Sequence, residues 1–191
     1  MDGLDKLLGE ILACQICAEH LPLGPRPVLQ VHRESAILIV GQAPGRRVHA
    51  SGVPFQDPSG VRLREWMGVG EEVFYDPRCV AILPMGFCFP GSGKSGDKPP
   101  RPECAPAWRE SVLEQLVEVR LTLVLGRYAQ AYHLDAARGV TETVAEWREY
   151  WPEKLPLPHP SPRNQAWFKK NAWFEEEVLP MLRKRVKQLV L

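Results

Sequence analysis

The sequence predicts an α/β fold, a three-layer α/β/α sandwich around a central, mostly parallel four-stranded sheet. Two observations lead to this prediction. Short apolar runs rich in β-branched residues recur between turn-forming residues, and stretches of helical length and periodicity separate them. The runs are apolar throughout and do not alternate with polar residues, so helices should cover both faces of the sheet.

Four runs are predicted as strands: Ile37 to Val40, Val80 to Leu83, Leu121 to Leu125 and Leu155 to Leu157. In a parallel sheet of this kind, ligands bind beyond the carboxyl ends of the strands. Functional residues are therefore expected in the segments that follow the strands: Gly41 to Gly45, Pro84 to Cys88, Gly126 to Tyr128 and Pro158 to Asn164.

Helical periodicity accounts for much of the remaining chain. Ala107 to Val119 and Thr141 to Trp151 each place apolar residues on one face and charged residues elsewhere, which predicts amphipathic helices. Gln165 to Leu191 is also helical in pattern, with a bend expected at Pro180 because proline cannot donate into the helix ladder. Cys88 to Pro106 is rich in Gly and Pro and predicts a long loop.

Length and composition are those of one ordinary domain spanning residues 1–191. Apolar residues make up 45% of the chain and charged residues 25%, which excludes a disordered or fibrous protein. No run reaches about 18 apolar residues, so no membrane span is expected. Met1 to Glu10 lacks the pattern of a secretory signal. These observations predict a cytoplasmic protein, and we expect it to be a monomer.

The net charge of +1 means that binding to nucleic acid would depend on local basic patches. One patch is formed by Arg46 and Arg47, which follow an Ala-Pro-Gly turn. A second is formed by Lys94, Lys98 and Arg101, which lie in the predicted long loop.

Two strand-end segments carry the most specific patterns. Gly41 to Gly45 reads Gly-Gln-Ala-Pro-Gly, and backbone amides at such a strand end can face a ligand. This turn lacks the Lys and Ser/Thr of a P-loop and the spacing of a dinucleotide motif. His159 to Asn164 reads His-Pro-Ser-Pro-Arg-Asn, and its two prolines should hold His159 near the strand end.

Together these segments resemble the uracil-DNA glycosylases. The first is similar to their Gly-Gln-Asp-Pro-Tyr-His motif and, in the iron-sulfur branch, to Gly-Glu-Ala-Pro-Gly; the second is similar to their His-Pro-Ser-Pro-Leu motif. Gly52 to Gly60 also resembles the Gly-x-Pro-Phe-x-Gly-x-x-Gly stretch of the iron-sulfur branch. The resemblance covers Ile11 to Pro180. It implies a DNA repair enzyme that flips uracil or another deaminated base out of DNA and hydrolyses the N-glycosidic bond.

The resemblance also implies roles for individual residues. His159 would donate a hydrogen bond to the departing base, Asp57 would supply the acidic group, and Gln42 would contact the base through an amide. Phe55 would stack on the flipped base. Further base contacts are expected from Gly41, Ala43 and Pro84, and DNA contacts from Arg46, Arg47, Lys94, Ser161, Arg163 and Asn164.

Three positions depart from the family pattern. Ala43 stands where one branch has its catalytic aspartate, and Arg163 stands where the family has a leucine that fills the gap left by the flipped base. Pro84 replaces an asparagine that reads the uracil edge in the iron-sulfur branch. Proline has no side-chain hydrogen bond to offer, so discrimination of about 1–3 kcal/mol per polar contact is missing or supplied elsewhere. The pattern leaves the excised base open.

The cysteines have a spacing typical of metal sites. Cys14 and Cys17 form a C-x-x-C pair, 15 residues separate Cys88 from Cys104, and Cys79 is left over. In a chain expected to be cytoplasmic, this spacing favours metal binding over disulfides. Ligand chemistry allows a zinc ion, a four-iron cluster or free buried thiols. The iron-sulfur glycosylases have a similar spacing, and this resemblance implies a [4Fe-4S] cluster with a structural role.

Two further functions compete with base excision. A lesion-binding iron-sulfur protein of the same fold that has lost catalysis would explain Ala43 and Pro84. A hydrolase of free nucleosides or nucleotides would explain the low net charge.

Overall fold

The structure is a computed structural model that describes residues 3–190. Its strands are β1 (Ile37–Val40), β2 (Val80–Ile82), β3 (Ser92–Gly93), β4 (Gly96–Asp97), β5 (Leu121–Leu125) and β6 (Lys154–Leu157). The main sheet has the order β2-β1-β5-β6 with every pair parallel, and β3 pairs with β4 in a separate antiparallel hairpin. The four predicted strands are confirmed, two of them to the residue.

The α-helices of the described residues are α1 (Gly3–Leu12), α2 (Arg46–Ser51), α3 (Pro58–Met67), α4 (Glu71–Phe74), α5 (Cys104–Leu113), α6 (Gly126–His133), α7 (Val140–Ala145), α8 (Gln165–Lys170) and α9 (Leu179–Val190). Short 3-10 turns lie at Ala18–His20, Trp147–Glu149 and Pro162–Asn164, and a π-helical turn lies at Phe174–Val178.

Helices cover both faces of the sheet. Successive side chains of a strand point to opposite faces. In β1, Ile37 and Ile39 therefore pack with residues of α3, α4, α7, α8 and α9, whereas Leu38 and Val40 pack with residues of α1, α5 and α6. All four side chains are buried. The fold is the predicted three-layer sandwich with a parallel sheet in the middle.

Helix boundaries differ from the sequence predictions. The helix predicted over Ala107 to Val119 begins earlier, at Cys104, and ends at Leu113, because 3-10 hydrogen bonds tighten and close the chain at its end. The helix predicted over Thr141 to Trp151 is also shorter, since α7 ends at Ala145 and a 3-10 turn follows.

Two other expectations are corrected. Cys88 to Pro106 is not an unstructured loop throughout, since its middle forms the β3–β4 hairpin and Cys104 already belongs to α5. The C-terminal helical stretch is interrupted near Asn171, ahead of the π-helical turn. Pro180 lies in the first turn of α9, where a missing amide hydrogen costs little.

Within residues 3–190, no helix combines the length and apolar character needed to cross a membrane. The predictions for Met1 and Asp2 at one end and Leu191 at the other lie outside the described residues.

Candidate active site

A cavity of about 430 Å³ opens at the carboxyl ends of the strands, and we call it the strand-end cavity. This volume is in the range of small-molecule sites, about 300–1,000 Å³. Segments far apart in the chain form its walls. Of the predicted site residues, it brings together Gly41, Gln42, Ala43, Arg46, Arg47, Phe55, Asp57, Pro84, His159, Ser161 and Arg163.

His159 follows β6 and is held in one tautomer. The backbone N–H of Ser161 donates to its Nδ1 at 3.1 Å, so the proton of the neutral ring lies on Nε2. Burial lowers the pKa of His159, while the charges of Asp57 and Asp97 oppose that shift. At neutral pH the ring is therefore uncharged, and Nε2–H is its remaining donor.

The loop that carries His159 is fixed from two sides. Asn164 Nδ2 donates to the His159 carbonyl oxygen at 2.7 Å, so this side chain contacts the loop itself. Arg62 of α3 donates through Nη1 to the Ser161 carbonyl oxygen at 3.1 Å and through Nη2 to Gln165 Oε1 at 3.0 Å. These contacts make the position of His159 dependent on α3.

Asp57 is the N-cap of α3. Its Oδ1 accepts the backbone N–H of Gly60 at 2.9 Å, and Pro58 occupies the first helical turn. Capping alone would explain an aspartate at this position. The cap also fixes the carboxylate at the cavity wall, with one oxygen bonded to Gly60.

Phe55 lies at the cavity wall in an unusual conformation. Its φ is +54°, in the left-handed region that residues other than glycine rarely adopt. The ring packs edge-to-face on Phe74, with 6.2 Å between centroids. Gly60 is required for this arrangement because a Cβ there would lie 1.7 Å from the Phe55 carbonyl oxygen. Strained residues of this kind cluster at ligand sites.

Gln42 connects the first strand-end turn to the long loop. Its Nε2 donates to the Lys98 carbonyl oxygen at 2.9 Å, and its backbone carbonyl oxygen accepts from the N–H of Gly86 at 3.0 Å. The side-chain amide therefore also has a structural partner.

The predicted basic residues are placed unequally. Arg46, Arg47 and Arg163 are exposed and line the strand-end cavity. Lys94 is exposed on the β3–β4 hairpin and is not part of that lining. Arg101 lies elsewhere, because its guanidinium pairs with Glu103 beside the cysteines.

Sequence reasoning missed two polar residues of this region. Asp97 of β4 lines the strand-end cavity, and Arg62 clamps the His159 loop from α3. The signal for Asp97 was its place after a Gly-Ser-Gly-Lys-Ser-Gly run, which is capable of a tight hairpin. The signal for Arg62 was weaker, since an arginine on a helix is ordinarily a solvated residue.

A neighbouring groove of about 410 Å³ shares Gln42 and His159 with the strand-end cavity. Its lining includes Gly126, Arg127 and Tyr128, the segment that follows β5. The segments predicted from the carboxyl ends of β1, β5 and β6 thus all border one continuous region.

The family model of the uracil DNA glycosylase superfamily matches residues 30–183, which include both strand-end turns that line the cavity. The chain belongs to this superfamily. The match begins at residue 30 and therefore does not cover the C-x-x-C pair of Cys14 and Cys17.

Similar proteins carry the same family description. A type-4 uracil-DNA glycosylase from Archaeoglobus fulgidus is 30% identical over 138 residues, which cover 69% of this chain. The match spans 64% of the length of that relative. A solution NMR structure of a candidate uracil DNA glycosylase from Methanosarcina acetivorans has a TM-score of 0.47 at 18% identity, covering 81% of this chain and 93% of that one.

This superfamily member has a second, largely apolar cavity, which we call the cysteine cavity. Cys14 and Cys17 reach it from the turn after α1, Cys88 from the segment after β2, and Cys104 from the start of α5. The rest of its lining is largely apolar: Ile16, Leu21, Pro25, Pro27, Gly86, Phe87, Arg101 and Trp108. Cys79 lies apart, against the core on the other face of the sheet.

Two thiols of this cavity receive hydrogen bonds, whereas Cys17 Sγ donates to Glu103 Oε2 at 3.6 Å. Trp108 Nε1 donates to Cys14 Sγ at 3.4 Å, and the backbone N–H of Phe87 donates to Cys104 Sγ at 3.4 Å. Burial raises the pKa of Cys88 and of Cys104 to about 11. Donors aimed at sulfur stabilise thiolates, which is the form that binds metals.

The cysteine cavity offers four thiols as possible metal ligands. Within residues 3–190, no three side chains of His, Cys, Asp or Glu are grouped for a single metal ion. A tetrahedral zinc site needs each sulfur about 2.3 Å from one point. Four cysteines on the wall of one cavity supply the thiolate ligands that either a zinc ion or a [4Fe-4S] cluster uses.

Arg109 of α5 contacts the segment that follows β2. Its side chain is fully buried, and Nη2 donates to the Leu83 carbonyl oxygen at 2.9 Å while Nε contacts Met85 Sδ at 3.2 Å. Burial lowers the pKa of Arg109 to about 10, so the guanidinium remains charged at neutral pH. Arg109 thereby contacts Leu83 and Met85, the two chain neighbours of Pro84, and Pro84 lines the strand-end cavity.

Proposed function

We propose that this protein is a DNA glycosylase that flips uracil or another deaminated base out of DNA and hydrolyses its N-glycosidic bond. The observation that carries the proposal is the strand-end cavity, where an aromatic ring (Phe55), a carboxylate (Asp57) and a neutral histidine (His159) meet. A flipped base needs a surface to stack on, and its departure as an anion needs a hydrogen-bond donor.

Each of these residues has one role in the proposal. Phe55 stacks on the base. His159 donates from Nε2 to a base oxygen, since Nδ1 already accepts from Ser161. Asp57 stabilises the positive charge that develops on the sugar, and its cap bond to Gly60 keeps it in place. Gln42, with Gly41 and Ala43, lines the base-binding side of the cavity.

We propose that the basic rim of the strand-end cavity binds DNA phosphates. Arg46, Arg47 and Arg163 are exposed at the cavity, and Lys94 extends the positive charge along the hairpin. Ser161 and Asn164 support this surface from the His159 loop. Because such contacts release counterions, binding should weaken steeply with salt.

A cleavage assay tests the proposal directly. Labelled single-stranded and duplex oligonucleotides containing uracil, hypoxanthine or xanthine are incubated with the protein and then treated with alkali, which breaks the strand at an abasic site. Breakage at one of these bases, and none with undamaged DNA, is the expected result. Binding to none of the oligonucleotides, together with no breakage, would overturn the proposal and favour free nucleosides or nucleotides as substrates.

A second candidate function is lesion binding without catalysis. Ala43 and Pro84 favour it, since both line the cavity and neither side chain can hydrogen-bond or titrate. Salt-sensitive binding to a damaged oligonucleotide without alkali-induced breakage would favour this candidate over the glycosylase.

We propose further that Cys14, Cys17, Cys88 and Cys104 hold a [4Fe-4S] cluster rather than zinc. When bound, the cluster supplies cross-linking between the N-terminal turn, the long loop and α5, and no chemistry on the base. If the cluster is bound, the protein should be brown, with broad absorbance at about 400 nm and about four irons per chain. A colourless protein containing one zinc would refute it.

We propose that the protein acts in the cytoplasm as a monomer with DNA as its macromolecular partner. Sedimentation of the pure protein at micromolar concentration should give one species near the 21.6 kDa of a single chain. A stable dimer would contradict this part of the proposal.

A further inference from the structure

Asp97 of the β3–β4 hairpin is the second carboxylate on the wall of the strand-end cavity. We propose that Asp97 takes the proton of the attacking water during base excision. This inference rests on the proposed glycosylase function and adds a catalytic residue to it. It divides the work of the two carboxylates, since Asp57 is left to stabilise the sugar charge.

The hairpin holds Asp97 in a defined position. Ser92 pairs with Asp97 across the two strands, and Ser92 Oγ donates to Asp97 Oδ1 at 3.2 Å. The hairpin is closed by the N–H of Lys98, which donates to the Gly91 carbonyl oxygen at 2.8 Å. Gln42 Nε2 then ties the Lys98 carbonyl oxygen to the first strand-end turn. The carboxylate is thus oriented although its residue is exposed.

The second oxygen of Asp97 faces the first strand-end turn. A Cβ built on Gly45 would lie 3.4 Å from Asp97 Oδ2, so the carboxylate lies close to the turn and leaves little room for a side chain there. On its other side the hairpin approaches the His159 loop, because a Cβ on Gly96 would lie 3.0 Å from Arg163 Nη1. Asp97 therefore stands between the two segments that form the cavity mouth.

Asp97 and His159, the predicted base contact, line the same cavity. Its negative charge, like that of Asp57, opposes the burial that lowers the pKa of His159. Asp57 uses Oδ1 to cap α3 and is part of a helix terminus. Asp97 lies on a two-residue strand, is exposed and lines the cavity.

The step balances without any further reactant. The bond between the sugar C1′ and the base nitrogen breaks, and its electron pair leaves with the base. Water oxygen forms the new bond to C1′, and the released proton goes to the Asp97 carboxylate. The products are an abasic sugar and a base anion, whose oxygen accepts the hydrogen bond from His159 Nε2 until solvent protonates it.

The test compares single-turnover cleavage with DNA binding, using whichever damaged oligonucleotide the wild-type protein cleaves. Asp97→Asn keeps the acceptor for Ser92 Oγ but cannot accept a proton, so its cleavage rate should fall by about 10²–10³-fold while the dissociation constant for DNA stays within about threefold. Asp135→Asn is the matched control, since Asp135 is exposed, lies outside the cavity and has a φ of +48° that asparagine tolerates.

Chemical rescue separates a proton acceptor from a structural residue. Asp97→Ala should regain at least tenfold in rate when sodium formate replaces sodium chloride at the same ionic strength, because the open cavity mouth admits a small carboxylate. If the wild-type protein cleaves a damaged oligonucleotide and Asp97→Asn cleaves it at the same rate, this inference is overturned and the glycosylase proposal stays intact. Equal losses of rate and DNA affinity, or no rescue by formate, would also overturn it. A wild-type protein that cleaves none of the damaged oligonucleotides would overturn both.

Discussion

The strand-end cavity and the cysteine cavity take part of their lining from the same stretch of chain, residues 84–101. They differ in how their polar groups are held. In the first, His159 and Asp57 each bind a backbone N–H with one atom and keep another at an open wall. In the second, thiols lie in a largely apolar lining and accept hydrogen bonds from Trp108 and Phe87. The first suits a ligand that comes and goes, and the second suits a permanently bound group. Substitutions should therefore separate rate from stability.

The largest effect is expected for His159→Ala. Removal of the donor to the departing base should lower the single-turnover rate about 10³-fold, or about 4 kcal/mol, with an unfolding temperature within about 2 °C of wild type. Rate measurements and calorimetry on the same preparation check both parts. A large fall in unfolding temperature would mean that His159 stabilises the fold. The strand-end cavity would then not differ from the cysteine cavity in its effect on stability.

The same histidine predicts a pH profile. Burial lowers the pKa of His159, so the ring stays neutral down to a pH below its ordinary value near 6.5. Protonation would put a hydrogen on Nδ1, facing the N–H of Ser161, and would disturb the loop. The wild-type rate should be flat from about pH 7 to 9 and fall on the acid side below about 6.5. A rate that rises toward acid pH would contradict the neutral-donor role.

Cys88→Ala should give the opposite outcome. Loss of one ligand should remove the colour and the bound iron and lower the unfolding temperature by roughly 10 °C, as expected for losing about 3 kcal/mol in a chain of this size. The cleavage rate per folded molecule should stay within about fivefold. Cys79→Ala is the control, because Cys79 lies outside the cavity and should keep iron and colour. If both variants keep full iron content, the ligand assignment is wrong.

Arg62→Ala tests the support of the His159 loop, which Arg62 contacts from α3. Its guanidinium holds the Ser161 carbonyl oxygen and packs over the Phe168 ring at 4.9 Å from the centroid. Loss of the clamp should lower the rate about tenfold and leave iron content unchanged. Arg62→Lys should recover only part of the rate because lysine cannot make the two-pronged contact. Full activity of Arg62→Ala would mean that the two prolines and the Asn164 hydrogen bond hold the loop without it.

The smallest effect is expected for Pro84→Asn. An amide at this wall position supplies a hydrogen bond that can read a base edge, so the preference for uracil over hypoxanthine should rise about fivefold. Competition between the two oligonucleotides in one reaction measures this ratio. A variant with an unchanged ratio would show that base selection depends on other residues.

The sequence was sufficient where function depends on local order. The place of His159 at the cavity was predictable because it follows a strand end, and that of Phe55 because it lies in a short motif similar to one of the family. The central strands were predictable because their residues are apolar on both faces. Asp97 was not, since a two-residue strand carries no hydrophobic period. Arg62 was not, because its partner is 99 positions away in the chain. The early start of α5 at Cys104 was also hidden, as no side-chain cap marks it.

The buried guanidinium of Arg109 has a consequence for oxidative damage. The residue shares α5 with Cys104 and grips the Leu83 carbonyl oxygen next to Pro84. Oxidation of Cys104 to a sulfinic or sulfonic acid adds bulk and charge to the first turn of that helix. A shift of the helix would then move Pro84, which lines the strand-end cavity. Oxidative damage in the cysteine cavity is therefore expected to alter the wall of the strand-end cavity as well.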